Sequence, residues 1–163
     1  MKSPRSLIAS ALLLLAGIAN AQMPASVRDA NAPGADDWTK AVPIIRSALE
    51  CRSSLPSSKH VLSVFRLTNS NLNGDHKLPQ ELSIFGSIKV SAVSVFIGDE
   101  EEGSSYTVQP AGVTMDALIK AAGLKKDKHS SRYLRVVKGG LLEASEPQPG
   151  TFQLACIRGG GHD

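Results

Sequence analysis

The chain has 163 residues, of which 42% are hydrophobic, 20% charged and 4% aromatic, and its formal charge is +3. The basic residues are spread along the chain and are not interleaved with aromatics, which leaves no argument for a nucleic-acid-binding stripe. No CxxC, HxxxH or HExxH spacing occurs, so the motifs that build zinc sites are missing as well.

Lys2 and Arg5 open the chain, Leu7 to Ile18 form an apolar run broken only by Ser10 and Gly17, and Ala19-Asn20-Ala21 has the small-x-small form of a signal-peptidase site. Residues 1–21 are therefore predicted to be a secretory signal cleaved after Ala21, which places the mature protein in the periplasm. The apolar run is too short for a hydrocarbon core of about 30 Å at 1.5 Å per residue, and no second such segment follows, so no membrane anchor is expected after cleavage. Loss of Lys2 and Arg5 lowers the formal charge from +3 to +1 and leaves 142 residues, the size of one domain.

Residues 22–35 are small, polar and proline-bearing and read as a flexible leader. Asp36 or Asp37 can cap a helix whose buried face is Trp38, Val42, Ile45 and Leu49, and Pro43 limits how early it begins. Cys51 and Cys156 are the only cysteines, and an oxidising compartment predicts a disulfide between them. A nucleophilic cysteine would need one of His60, His76, His129 or His162, none of which lies in a recognisable signature.

The Ser/Pro-rich stretch 52–59 reads as a loop and His60 to Leu67 as a short strand. Leu82, Ile84, Ile88, Val90 and Ala92 keep one parity, whereas Val93, Val95 and Ile97 keep the other, as two strands or one bulged strand would show. Residues 98–105 follow as a loop. Tyr106 to Gln109 is a strand that stops at Pro110. Thr114 caps the best-signalled helix, with Asp116 in its first turn, Leu118, Ile119 and Ala122 as its apolar positions and Gly123 as its stop; Val113 can staple onto Leu118. Tyr133 to Val137 and Leu141 to Ala144 form a hairpin around Lys138-Gly139-Gly140, and Thr151 to Ile157 is the last strand. Residues 159–163 form a flexible tail. The fold class is α+β: a mostly antiparallel sheet with two main helices in one small disulfide-linked domain spanning residues 36–158.

Candidate chemistry is sparse. Asn69, Asn71 and Asn73, with Gly74 sixth and Gln80 twelfth, follow calcium-loop spacing, but amides replace the carboxylates and Gln80 replaces the bidentate glutamate. No serine lies in a G-x-S-x-G elbow or an S-x-x-K pair. The glycine pairs and triplets lack the strand-then-helix setting of a phosphate loop. No catalytic set, metal site or cofactor is predicted. The remaining feature is the segment Gly98-Asp99-Glu100-Glu101-Glu102-Gly103-Ser104-Ser105. Its carboxylates can steer a basic partner, its glycines let backbone enter a narrow cleft, and its serines can hydrogen-bond there.

An exported domain of this size, with two separated cysteines and Gly103-Ser104-Ser105 in a loop between strands, resembles the periplasmic immunity proteins that protect bacteria from type VI secretion cell-wall amidases. The likeness in organisation runs from Ile84 to Ile157. It implies a non-catalytic inhibitor whose serine-bearing loop plugs the active-site cleft of a secreted peptidoglycan amidase. Asp99, Glu100, Glu101, Glu102, Gly103, Ser104 and Ser105 would then be the partner-binding residues. The alternative expectation is a periplasmic small-ligand or calcium-binding module using residues 69–80.

Overall fold

The computed structural model describes residues 34–99 and 101–159, so the predicted signal sequence, most of the leader and tail, and Glu100 lie outside it. Among the described residues, no helix is long and apolar enough to cross a membrane.

Helix α1 (Ala35–Leu49) starts from Gly34, and Asp36 and Asp37 occupy its first turn instead of capping it. Their charges there complement the positive end of the helix dipole. Pro43 lies well inside the helix, not near its start as the sequence suggested. Its missing N–H only deprives the Thr39 carbonyl of an intrahelical donor. Ala41, Ile45, Ala48 and Leu49 form the buried face. Just beyond α1, Glu50 is buried because its carboxylate accepts the Phe85 N–H at 2.6 Å and pairs with Arg52 at 2.9 Å.

The segment expected to be a strand at 60–67 is instead helix α2 (Lys59–Phe65). Ser58 caps it by accepting the Val61 N–H, and Arg66 closes it in the left-handed region at φ 57°. Val61, Val64 and Phe65 then share one buried face at i, i+3 and i+4. The third helix, α3 (Met115–Ala122), follows the sequence reading, with Thr114 accepting the Ala117 N–H and Gly123 in the left-handed region. Among the described residues α2 thus joins the two main helices expected from the sequence, and the α+β class holds.

Strands β1 (Gly74–Ile84), β2 (Ile88–Ile97), β3 (Ser104–Val108), β4 (Lys125–Lys126), β5 (Tyr133–Val137), β6 (Gly140–Gln148) and β7 (Thr151–Arg158) form one sheet in the order β1-β2-β3-β7-β6-β5-β4. Every pairing in it is antiparallel. Val90, Val93, Val95, Tyr106, Leu142, Leu154 and Cys156 line the inner face and form one core with the buried sides of all three helices. The parity switch seen in the sequence falls in β2, where Ser91 and Ala92 are both exposed. Opposite them the register slips: Lys77 pairs with Ala92 but Leu82 with Val90, so Leu78 to Glu81 form a bulge. With Lys77, Pro79 and Glu81 on an outermost strand, this bulge guards the free edge against pairing with another chain.

The sheet curls around the helices. Flat strands would set β1 and β5 about 24 Å apart at roughly 4.8 Å per spacing. Yet the Arg135 guanidinium of β5 lies 5.7 Å from the ring of Phe85, at the turn after β1. The Arg135 Nε is buried there without a hydrogen-bond partner, and the aromatic face supplies part of the lost solvation.

Candidate functional site

The predicted loop 98–105 divides into a turn and a strand start. Ser104 and Ser105 belong to β3 and pair with Ile97 and Phe96 of β2, so they are not at the tip. The Ser104 hydroxyl turns inward and donates to the buried Tyr106 hydroxyl at 3.3 Å, which also accepts the Leu55 N–H at 2.9 Å. Ser105 points to the outer face. The exposed residues of the tip are therefore the carboxylates Asp99, Glu101 and Glu102, with Glu100 between them in sequence.

This tip is tied at every step. The Gly98 N–H donates to the Gly103 carbonyl at 2.8 Å, and the Gly103 N–H to the Asp99 carbonyl at 2.9 Å. Asp99 Oδ1 accepts the N–H groups of Glu101 and Glu102 at 2.9 and 3.0 Å. One carboxylate thus shapes the turn while Glu101 and Glu102 remain exposed. Among the described residues, no lysine or arginine pairs with Asp99, Glu101 or Glu102. Gly103 has φ +72°, and a Cβ on it would lie 2.4 Å from the Arg158 carbonyl oxygen, so the end of β7 crosses directly against it.

The asparagine-rich segment supports the same tip and forms no calcium loop. Asn69 Oδ1 accepts the Asn71 N–H and Asn71 Oδ1 accepts the Asn73 N–H, both at 3.0 Å. Asn73 then clamps Ile97, accepting its N–H at 2.6 Å and donating to its carbonyl at 3.0 Å. Residues 74–80 are strand, so a twelve-residue chelating loop cannot wrap. The sequence reading singled out Asn73 but missed this positioning role, because the clamp joins residues 24 apart.

The predicted disulfide is present, Cys51 to Cys156 with Cα atoms 5.2 Å apart. It ties the end of α1 to β7, the neighbour of β3, and Arg158 Nη1 donates to the Cys51 carbonyl at 3.2 Å. Beside the tip, Ser54, Ile97, Asp99, Ser104, Gly139 and Arg158 surround an open cleft of about 350 Å³. A larger cleft of about 460 Å³ lies between the end of α2 and β1. There His76 stacks on Phe65 with ring centroids 4.2 Å apart and donates from Nε2 to the Leu72 carbonyl at 2.7 Å, a packing role.

One hydroxyl, imidazole and carboxylate do meet, a trio the sequence reading did not anticipate. Asp37 Oδ1 contacts His60 Nδ1 and its Oδ2 accepts the Ser63 hydroxyl, both at 2.7 Å. The carboxylate is the hub here, so the serine faces an acid and not an imidazole base; nucleophile activation needs the opposite order. The trio clasps α1 to α2. Its hydrogen bonds from His60 and then Ser63 hold the Asp37 carboxyl below the usual aspartate range. Among the described residues, no group of three or more His, Cys, Asp or Glu converges as a metal site. Comparison with protein-family models, curated proteins and solved structures finds no match to this chain.

Proposed function

We propose that the protein is a non-catalytic inhibitor, exported to the periplasm, that binds a secreted peptidoglycan amidase and occludes its active-site cleft with the β2–β3 tip. The observation that carries this reading is the tip itself: a narrow, exposed hairpin end, fixed by its own backbone and by Asn73, bearing carboxylates with no cationic partner among the described residues. Such a feature costs little ordering on insertion. Its negative field accelerates encounter with a basic cleft rim. Glu101 and Glu102 make the leading contacts, and the Gly98 and Gly103 backbone allows close approach.

The test is inhibition of peptidoglycan-sacculus hydrolysis by the purified secreted amidases of the same host, with mature wild type and with Glu101→Lys/Glu102→Lys. Wild type is expected to inhibit at least one amidase with an affinity that falls as salt rises, and the double variant to lose that inhibition. Absence of inhibition by wild type, or equal inhibition by the variant, would overturn the proposal.

A further inference from the structure

Strand register places one row of side chains across five strands on the outer face of the sheet. Phe96 faces Ser105, Ser105 faces Ile157, Ile157 faces Leu141, and Leu141 faces Val136. Their chain neighbours Val95, Tyr106, Cys156 and Leu142 point the other way and are buried. The outer face of an antiparallel sheet that meets water is ordinarily polar, yet four of these five residues are apolar. The adjacent row is mixed: Ser94, Thr107, Ala155, Glu143 and Leu134.

Among the described residues, three large hydrophobics are exposed: Phe96 at 47%, Ile97 at 38% and Val136 at 84%. Phe96 and Val136 are the two ends of the row, whereas Ile97, which pairs with the inward-turned Ser104, points to the opposite face. Isolated exposed apolar residues are ordinary. Phe96 and Val136, however, are joined across the same face by the half-buried Ile157 and Leu141, so the row is one continuous apolar strip interrupted only by Ser105.

We propose that this row is the second half of the inhibitor's contact surface, and that its occupant is a folded partner presenting an apolar ridge with arginine or lysine at one end. The inference rests on the inhibitor reading and names the surface that accompanies the tip. Charge sets the orientation. The Phe96 end adjoins the acidic tip, since a Cβ on Gly98 would lie 3.1 Å from the Phe96 ring and 2.5 Å from the Glu102 Cβ. The partner's basic end therefore sits over Asp99, Glu101 and Glu102. Ser105, small between Phe96 and Ile157, leaves a notch that seats the ridge and offers a hydroxyl within it.

Area selects this occupant over a second copy of the chain. Four strand spacings make the row about 19 Å long, and at a breadth of about 7 Å, two residues along a strand, it covers roughly 130 Å², against about 800 Å² per partner in a stable interface. The row alone is too small to hold a dimer. A stable partner must therefore cover the tip as well as the row.

The experiment measures binding kinetics of the purified secreted amidases of the same host to wild type, Val136→Lys and Glu101→Lys/Glu102→Lys, alongside the melting temperature and sedimentation of each. Val136 is exposed enough that its replacement leaves folding intact. Val136→Lys is expected to weaken binding roughly tenfold or more at unchanged melting temperature, chiefly through faster dissociation. The tip variant instead slows association. Full affinity in Val136→Lys together with loss in the tip variant overturns the row and leaves the inhibitor reading standing. Absence of any amidase binding to wild type overturns both. A wild-type dimer that Val136→Lys converts to monomer overturns the row as a partner surface.

Discussion

Replacing Gly103 by alanine adds one methyl group where two separate costs can be worked out. At φ +72°, an L-residue loses about 1–2 kcal/mol relative to glycine. The new Cβ would also lie 2.4 Å from the Arg158 oxygen and 2.7 Å from the Gly159 carbonyl carbon, both backbone atoms. Backbone cannot rotate away as a side-chain end can, and overpacking of this kind adds about 1–3 kcal/mol. The sum is about 2–5 kcal/mol. Gly112 supplies the control, because it has φ +66° with nothing within 4 Å of its Cβ position. Gly112→Ala should therefore cost only the conformational part, about 1–2 kcal/mol. Urea unfolding with a shared m-value should place Gly103→Ala at least ~1 kcal/mol below Gly112→Ala, a further fall of about 3–5 °C in melting temperature for a domain of this size. Equal losses would refute the reasoning, since the end of β7 would then not be held against the tip.

The Cys51–Cys156 bridge closes a separation of 105 residues, so the double replacement by alanine should cost about 4–5 kcal/mol in the chain-entropy view; a loss under ~1 kcal/mol in denaturant titration would contradict it. The lowered Asp37 pKa gives a signed pH effect. Its unfolded carboxyl binds protons more tightly than the folded one, so the α1–α2 clasp stabilises fully above the unfolded value of about 3.9 and fades as pH falls through the lower folded value. Asp37→Asn should be less stable than wild type at neutral pH and converge with it in acid. A constant difference across the acid limb would rule this out.

What the sequence disclosed depended on how local each signal is. The Thr114 cap and Gly123 stop of α3 are set within a few residues, and the Lys138-Gly139 hairpin is equally local, so both were legible. Helix α2 was not: seven residues give less than two clear periods, and its cap, Ser58, sits in a stretch whose serines and prolines read as loop. Strand β1 was legible only at its end, Leu82 and Ile84, for a different reason. An edge strand bearing Lys77, Pro79 and Glu81 has a composition selected against pairing, which is also the composition of a turn. Residue type places Ser104 and Ser105 in a loop, whereas their position in β3 is set by cross-strand partners that only the folded sheet supplies. The acidic segment was visible as charge, but its rigidity was not, because Asn73, Arg158 and the disulfide come from distant parts of the chain.

That rigidity bears on the proposed docking role. Ordering six free backbone residues, Gly98 to Gly103, on binding would cost about 6–12 kcal/mol at 1–2 kcal/mol each. This is comparable to the whole free energy of a micromolar complex, about 8 kcal/mol. Here the ordering is met during folding: Asn73 fixes the residue before the turn, Asp99 fixes the turn, and the β7 end, held by the disulfide and by Arg158 on Cys51, fixes the residue after it. In the proposed inhibitor these three ties spare the complex that cost, and the tip's neighbouring carboxylates share one charge sign in the free protein. The fold bears their repulsion, and a cationic partner would relieve it.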